Sequence, residues 1–282
     1  MYSVVFENDN GQKYLFGANG NTVFDMDVGN GMSINLGTSQ GFSQVGETVE
    51  TRSVTGRAIA VSGVVYGDVP AQKRQMRNII APFASGRLVF EGRQFIRVVV
   101  KDAPSFSPVR DDGRFTMSFF APFPFFYDLT EQSVLIGEIL PMFRFPVNYG
   151  EPHKFGARSG AKYKNIYYDG DVNTAFSLTI TASGVSVDPT ITNLTTFERL
   201  KINGTLSAGD VVRVYRDSSN ILRAELESGG NMTDILSWID DSSDLFELTV
   251  GDNLIQFNDN GGGEALTVRI GYYLTYAAVY ED

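Results

Sequence analysis

The sequence predicts a mainly β protein in two parts: a β-sandwich carrying one helix, then an antiparallel β-sandwich of jelly-roll type. Three observations carry that prediction. Apolar and polar residues alternate with period two in many short stretches, as Phe115, Met117 and Phe119 do against Thr116 and Ser118, which marks strands with one buried face. One stretch alone, roughly 70–84, has convincing helical periodicity. The charge balance changes near residue 130. Residues 1–130 hold 12 of the 23 basic and 12 of the 33 acidic side chains, so 11 and 21 fall to residues 131–282 and the whole net charge of −10 lies there.

In the first part, Val4-Val5-Phe6 and Tyr14-Leu15-Phe16 flank Asn8-Asp9-Asn10-Gly11, a hairpin signal because Asn and Gly tolerate positive φ. Ile59, Val61 and Val65 mark a further strand. Arg87–Glu91 and Arg93–Lys101 flank the turn Glu91-Gly92, and Ile96, Val98 and Val100 share one face. The helix is read over Pro70 to Ala84. Proline suits a first helical position because its missing N–H is an orphan there in any case. Met76, Ile79, Ile80 and Phe83 form an apolar stripe, Lys73, Arg74 and Arg77 lie largely off it, and Gly86 is the expected stop. Residues 37–57 are polar and rich in Gly and Thr. A surface loop is the plain reading, and Thr48 to Thr55 have the β character of an arm reaching beyond its own domain.

The strand ending at Phe119 runs into Ala-Pro-Phe-Pro-Phe-Phe-Tyr-Asp128. Pro122 and Pro124 have no N–H for a ladder, while Phe123, Phe125 and Phe126 carry apolar bulk that must be buried in a core or against a neighbour. Residues 133–165, with Pro141, Pro146 and Pro152, read as an irregular connection. Beyond Asn165 short strands recur, among them Phe176/Leu178/Ile180, Leu200/Ile202, Val212/Val214, Phe246/Leu248/Val250, Leu254–Phe257 and Leu266/Val268/Ile270/Tyr272, which is the spacing of a sandwich. Thr233 to Ile239 suggest one helical turn bearing Trp238. The domains expected are therefore 1–132, a connection 133–165 and a sandwich 166–282.

The chemistry implied is meagre. With no cysteine, disulfides and thiolate chemistry are excluded. The single histidine, His153, sits in a Gly/Pro loop and reads as a solvated residue. No phosphate loop or dinucleotide fingerprint occurs. Asp169-Gly-Asp171-Val-Asn173 opens like a calcium loop but has Thr174 and Ile180 where Gly and Glu are needed, so a solvated turn is expected. Asp240, Asp241 and Asp244 read as an acidic loop rather than a glycosidase pair. Trp238 is a candidate glycan platform, with a buried tryptophan the plainer reading. Neither half has the basic footprint that nucleic-acid binding requires. The N-terminus lacks the cationic and long apolar regions of a signal peptide, and cytoplasmic synthesis is expected. Neither an enzyme nor a cofactor is indicated.

In order and spacing, several motifs resemble the distal tail protein (siphovirus tail component) family of long, non-contractile-tailed bacteriophages. They are Gly46-Glu-Thr-Val-Glu-Thr-Arg52 with Ser53-Val-Thr-Gly-Arg57, Leu88-Val-Phe-Glu-Gly-Arg93, and Phe119-Phe-Ala-Pro-Phe-Pro-Phe-Phe126. Tyr168-Asp-Gly-Asp-Val-Asn173, Asp188-Pro-Thr-Ile-Thr-Asn193, Glu198-Arg-Leu-Lys-Ile-Asn203, Leu248–Ile255 and Val268-Arg-Ile-Gly-Tyr-Tyr273 follow. Phe123 stands where the family more usually has Asp. The resemblance implies a tail-tube-like N-terminal domain, a galectin-like C-terminal sandwich and a homo-hexameric ring in the virion tail tip, through which DNA passes without being bound. It implies as partners the tail-tube protein, a tail-tip or tail-associated protein and the tape-measure protein. It turns residues 37–57 into an arm laid on the next subunit, with Gly46, Thr48, Val49, Glu50, Thr51, Arg52 and Val54 as interface residues. Pro122, Phe123, Pro124, Phe125 and Phe126 become hinge or partner-packing residues. The competing reading is a carbohydrate-binding or carbohydrate-hydrolysing sandwich acting on cell-wall glycans, with Trp238 and tyrosines as its platforms.

Overall fold

A computed structural model describes residues 3–17, 21–28, 34–109, 111–137, 139–141, 156–158, 162–217, 220–261 and 265–279. His153 and much of the 133–165 stretch lie outside the described residues. The described fold is mainly β, with antiparallel sheets and one α-helix. The chain divides into two compact units, Met1–Leu129 with Thr275–Asp282, and Thr130–Leu274.

The first unit is built from β1 (Val4–Asn8), β2 (Lys13–Phe16), β3 (Thr22–Asp27), β4 (Ile34–Ser39), β5 (Thr48–Val54), β6 (Arg57–Val65), α1 (Val69–Ile79), β7 (Ser85–Phe90), β8 (Gln94–Phe106), β9 (Arg114–Ala121) and β10 (Phe126–Asp128). The main sheet runs β2-β1-β7-β8-β9-β6-β3, with β10 beside β8 and the strand Thr275–Tyr276 beside β10. The first hairpin closes as its sequence indicates: Gly11 has φ 79° and Asn8 Oδ1 accepts from Gln12 N at 2.9 Å. Alternation buries Ile59, Val61, Ile96, Val98, Phe115, Met117 and Phe119.

Helix α1 covers this apolar face. Asp68 caps it by accepting from Ala71 N at 3.1 Å, and Asn8 Nδ2 donates to Ile79 O near its other end. Met76, Ile79 and Ile80 are buried, each stabilising by about 1.5–3 kcal/mol. Phe83 is not part of the stripe. Pro82 disfavours helical backbone at Ala81, so the helix ends at Ile79 and Phe83 turns out at φ 65°, 99 % exposed. Gly86 belongs to β7, where an added Cβ would meet Glu7 O at 2.1 Å; it admits strand β1 rather than stopping a helix.

The second unit contains β11 (Gln132–Ile136), β12 (Ile139–Pro141), β13 (Gly156–Arg158), β14 (Tyr163–Tyr168), β15 (Phe176–Ala182), β16 (Ser186–Val187), β17 (Thr190–Asn193), β18 (Glu198–Lys201), β19 (Thr205–Leu206), β20 (Val211–Arg216), β21 (Leu222–Ser228), β22 (Asn231–Asp234), β23 (Gly251–Asn258) and β24 (Leu266–Tyr272). A six-stranded sheet, β11-β24-β15-β20-β21-β22, and a four-stranded sheet, β14-β23-β17-β18, supply one core. Leu178, Ile180, Val212, Val268 and Ile270 come from the first sheet, and Ile166, Ile191, Leu200, Ile255 and Phe257 from the second. Asn253 is fully buried and ties the turn before β23. Its Nδ2 donates to Thr249 O at 2.7 Å and Gly251 O at 3.1 Å, and its Oδ1 accepts from Thr249 N at 2.9 Å.

The units do not follow the boundaries drawn from sequence. The division falls after Leu129, Gln132–Ile136 is an edge strand of the second unit, and Thr275–Asp282 belong to the first. The charge step near residue 130 lies beside the first division, whereas nothing marks the return of Thr275–Asp282, because a two-residue strand paired with a distant segment leaves no local periodicity.

Candidate assembly interface

Within residues 37–57, positions 37–39 and 48–54 are strand, and the residues between them form a turn. Strands β4 and β5 pair as an isolated hairpin in the register Ile34↔Val54, Leu36↔Arg52, Thr38↔Val49 and Ser39↔Thr48, with a bulge between Gly37 and Thr38. Gly37 permits the close pairing, since an added Cβ would meet Thr51 Oγ1. All of Thr48, Val49, Glu50, Thr51, Arg52 and Val54 are exposed. Ile34 and Leu36 are each 55 % exposed. A two-stranded hairpin with both faces in water is marginal by itself.

Its tip is locked by amide side chains. Gln44 Oε1 accepts from Gly41 N at 2.9 Å, Gln44 Nε2 donates to Thr48 Oγ1 at 2.9 Å, and Gln40 Nε2 donates to Gln44 O at 3.1 Å. Ser43 and Gly46 take positive φ to complete the turn. The locked turn holds Phe42 and Val45 wholly in solvent. A preordered apolar tip of this kind loses little entropy on meeting a partner.

The Pro/Phe segment behaves differently. Pro124 and Phe126 are buried, and Phe123 and Phe125 are half-buried. The Phe126 ring lies 5.5 Å from Phe90 and under the Arg57 guanidinium at 5.0 Å. Arg57 itself is buried, and donates to Val28 O at 3.0 Å and Ala277 O at 2.9 Å. Burial lowers its pKa from the ordinary arginine value. Phe123 stacks on Tyr127 and meets Phe125 edge-on, so much of this bulk is satisfied within its own unit.

Trp238 stands at the end of a 3₁₀ turn, Leu236–Trp238, half-buried against the sandwich core. Gly204 lies against its ring so closely that an added Cβ would sit 2.5 Å from Cε3; that face of the indole is closed. Asp240 is engaged by Ser242 and by Asn203 Nδ2 at 2.9 Å. Those bonds, Ser242 foremost, hold its carboxyl well below the usual carboxylate range. The Asp169–Asn173 turn folds over Tyr168, whose hydroxyl donates to Val172 O at 2.9 Å. Among the described residues no group of three or more His, Cys, Asp or Glu could hold a metal ion, and no helix is long and apolar enough to cross a membrane.

Sequence reasoning names the arm strand but misses Phe42, Val45 and the β4 residues Ile34 and Leu36. A Phe and a Val set among Gly, Ser and Gln in an otherwise apolar-poor stretch are the signal that could have found the tip.

Comparison with known proteins agrees with the resemblance read from the motifs. Residues 169–276 match the family model described as siphovirus-type tail component, C-terminal domain. No curated protein matches the chain. The solved structure of the Dit protein of phage SPP1, described as a paradigm of the hub adsorption apparatus in phages infecting Gram-positive bacteria, is similar with TM-score 0.64 at 13 % identity. That match covers 96 % of this chain and 98 % of the other. A chain of the phage P2 baseplate in its activated conformation with Ca is similar with TM-score 0.53 at 12 % identity, covering 99 % of each chain. At such identities the likeness is one of fold.

Proposed function

We propose that this protein is a structural, non-catalytic hub of a phage tail tip. Six copies close a ring that joins the tail tube to the adsorption apparatus, and its contacts there are the tail-tube, tail-tip and tape-measure proteins. The observation that carries this reading is the fold likeness to the SPP1 hub protein along nearly the whole of both chains. The family-model match over residues 169–276 supports it from sequence.

Ring closure belongs to the first unit in this reading. A closed ring needs two different complementary faces on each subunit, and in the β4–β5 hairpin every residue of β5 is exposed. Its free edges can add to a neighbour's sheet through backbone hydrogen bonds. The second unit lies in the half that bears the net charge of −10, and six such copies repel one another at close range, so it is not the element that closes the ring in this reading.

Light scattering and negative-stain imaging of the full chain test the reading, alongside a variant whose residues 40–46 are replaced by a two-residue Asn-Gly turn. The expected result is a six-fold ring for the former and monomers for the latter. A full chain that stays monomeric, or a shortened arm that still closes the ring, overturns it.

A further inference from the structure

The structure carries a surface that the hub reading does not use: the outer face of the four-stranded sheet in the second unit. On its edge strand β14, Tyr163, Asn165 and Tyr167 alternate with the buried Ile166 and Tyr168. The two outward tyrosines are 57 % and 65 % exposed. They stand four residue steps apart along the strand, about 13 Å at 3.3–3.4 Å per residue.

Register extends this lane across the sheet. Tyr163 lies opposite Gln256, Gln256 opposite Thr192, and Thr192 opposite Arg199. Directly opposed residues share a face, so an aromatic ring, an amide, a hydroxyl and a guanidinium stand in one row, about 14 Å across at the usual strand spacing. Asn165 Nδ2 donates to Asp252 Oδ1 at 2.6 Å, and Arg199 donates to Ser242 Oγ at 3.1 Å. The charges bordering the lane thus have polar partners, and its centre is uncharged.

We propose that this face binds an uncharged polysaccharide. A sugar ring presents an apolar C–H face and a rim of hydroxyls. Two exposed tyrosines offer flat apolar platforms, and Gln256, Thr192 and Arg199 offer donors and acceptors beside them. The charge match selects a neutral chain: residues 131–282 hold 21 acidic against 11 basic side chains, which repels a polyanion. The platforms are Tyr163 and Tyr167 rather than Trp238, one of whose faces Gly204 covers. This site does not depend on the ring.

Affinity electrophoresis of the full chain tests it, in gels containing dextran, mixed-linkage β-glucan or galactomannan, with poly(glycerol phosphate) as the anionic comparison. At least one neutral polymer is expected to retard the chain. The Tyr163→Ala/Tyr167→Ala variant should bind at least about tenfold more weakly, two stacking contacts being removed, with its melting temperature unchanged. Gln256→Ala should weaken binding, while Tyr163→Phe/Tyr167→Phe should keep it. Unchanged mobility in every neutral gel, equal retardation of the double alanine variant, or retardation by poly(glycerol phosphate) alone overturns the proposal.

Discussion

The guanidinium of Arg57 lies 5.0 Å above the ring of Phe126, and the same side chain binds carbonyls at Val28 and Ala277. One buried cation therefore joins the start of β6, the segment after β3, the Pro/Phe run and the returning C-terminal residues. Arg57→Met should destabilise the first unit by about 2–5 kcal/mol, because two charge-assisted bonds vanish and their part-buried carbonyls lose that partner. Arg57→Lys should recover little, since an ammonium cannot reach both carbonyls in the plane of one fork. Urea unfolding of the full chain, followed through its aromatic fluorescence, gives both numbers.

Ile80 and Phe83 should respond oppositely to a charge. Ile80 is fully buried and Phe83 is 99 % exposed. Ile80→Asp should abolish folding of the first unit, because an ionised carboxylate there has no partner. Phe83→Asp should be tolerated. Phe83→Asn should raise stability by about 0.5–1 kcal/mol, as Asn accepts the left-handed backbone that strains a bulky side chain. Circular dichroism melts of the three variants decide the matter.

Removing residues 275–282 should weaken the first unit although every other strand of its sheet remains. Phe126↔Tyr276 pairing and the Arg57–Ala277 bond would both be lost. A fragment of residues 1–135 should therefore melt lower than the first unit of the full chain. Scanning calorimetry that returned the same transition for both would show the returning strand to be dispensable.

In the second unit, Asn253→Leu should cost about 3–5 kcal/mol. It removes several bonds at once and leaves the part-buried carbonyls of Thr249 and Gly251 and the Thr249 amide without their Asn253 partner. Asn253→Asp should be only partly tolerated, since a carboxylate keeps the acceptor but not the donors. Chemical denaturation of both variants is the measurement.

Acid should destabilise the chain below about pH 4. Asp112, held by Arg114, and Asp240, held by Ser242 and Asn203, both have carboxyls well below the usual range. A folded-state value under the unfolded one near 4 gives stability that is complete above that pH and is lost as pH falls. The urea midpoint should drop between pH 5 and pH 3, and Asp112→Asn should flatten part of that slope.

Strands whose alternate residues enter a core are legible in the sequence, as at β6, β8, β9, β15 and β23, because burial itself imposes the period. Helix α1 is legible for the same reason, but its end is not: Phe83 continues the apolar spacing while Pro82 breaks the backbone. The β4–β5 hairpin is the opposite case. It buries nothing, so it has no period to read, and only its β-compatible composition hints at an arm. Trp238 is misleading in isolation, since its environment depends on Gly204, far off in the chain.

The pairing of Phe126 with Tyr276 also sets an order of events during translation. Residues 130–274 leave the ribosome between the two partners, about 145 residues, which takes about 7–30 s at 5–20 residues per second. For that interval Phe126 and Arg57 wait without Tyr276 and Ala277, while the second unit has already emerged. A nascent chain therefore lacks the closing strand of its first unit until the whole of its second unit has been made.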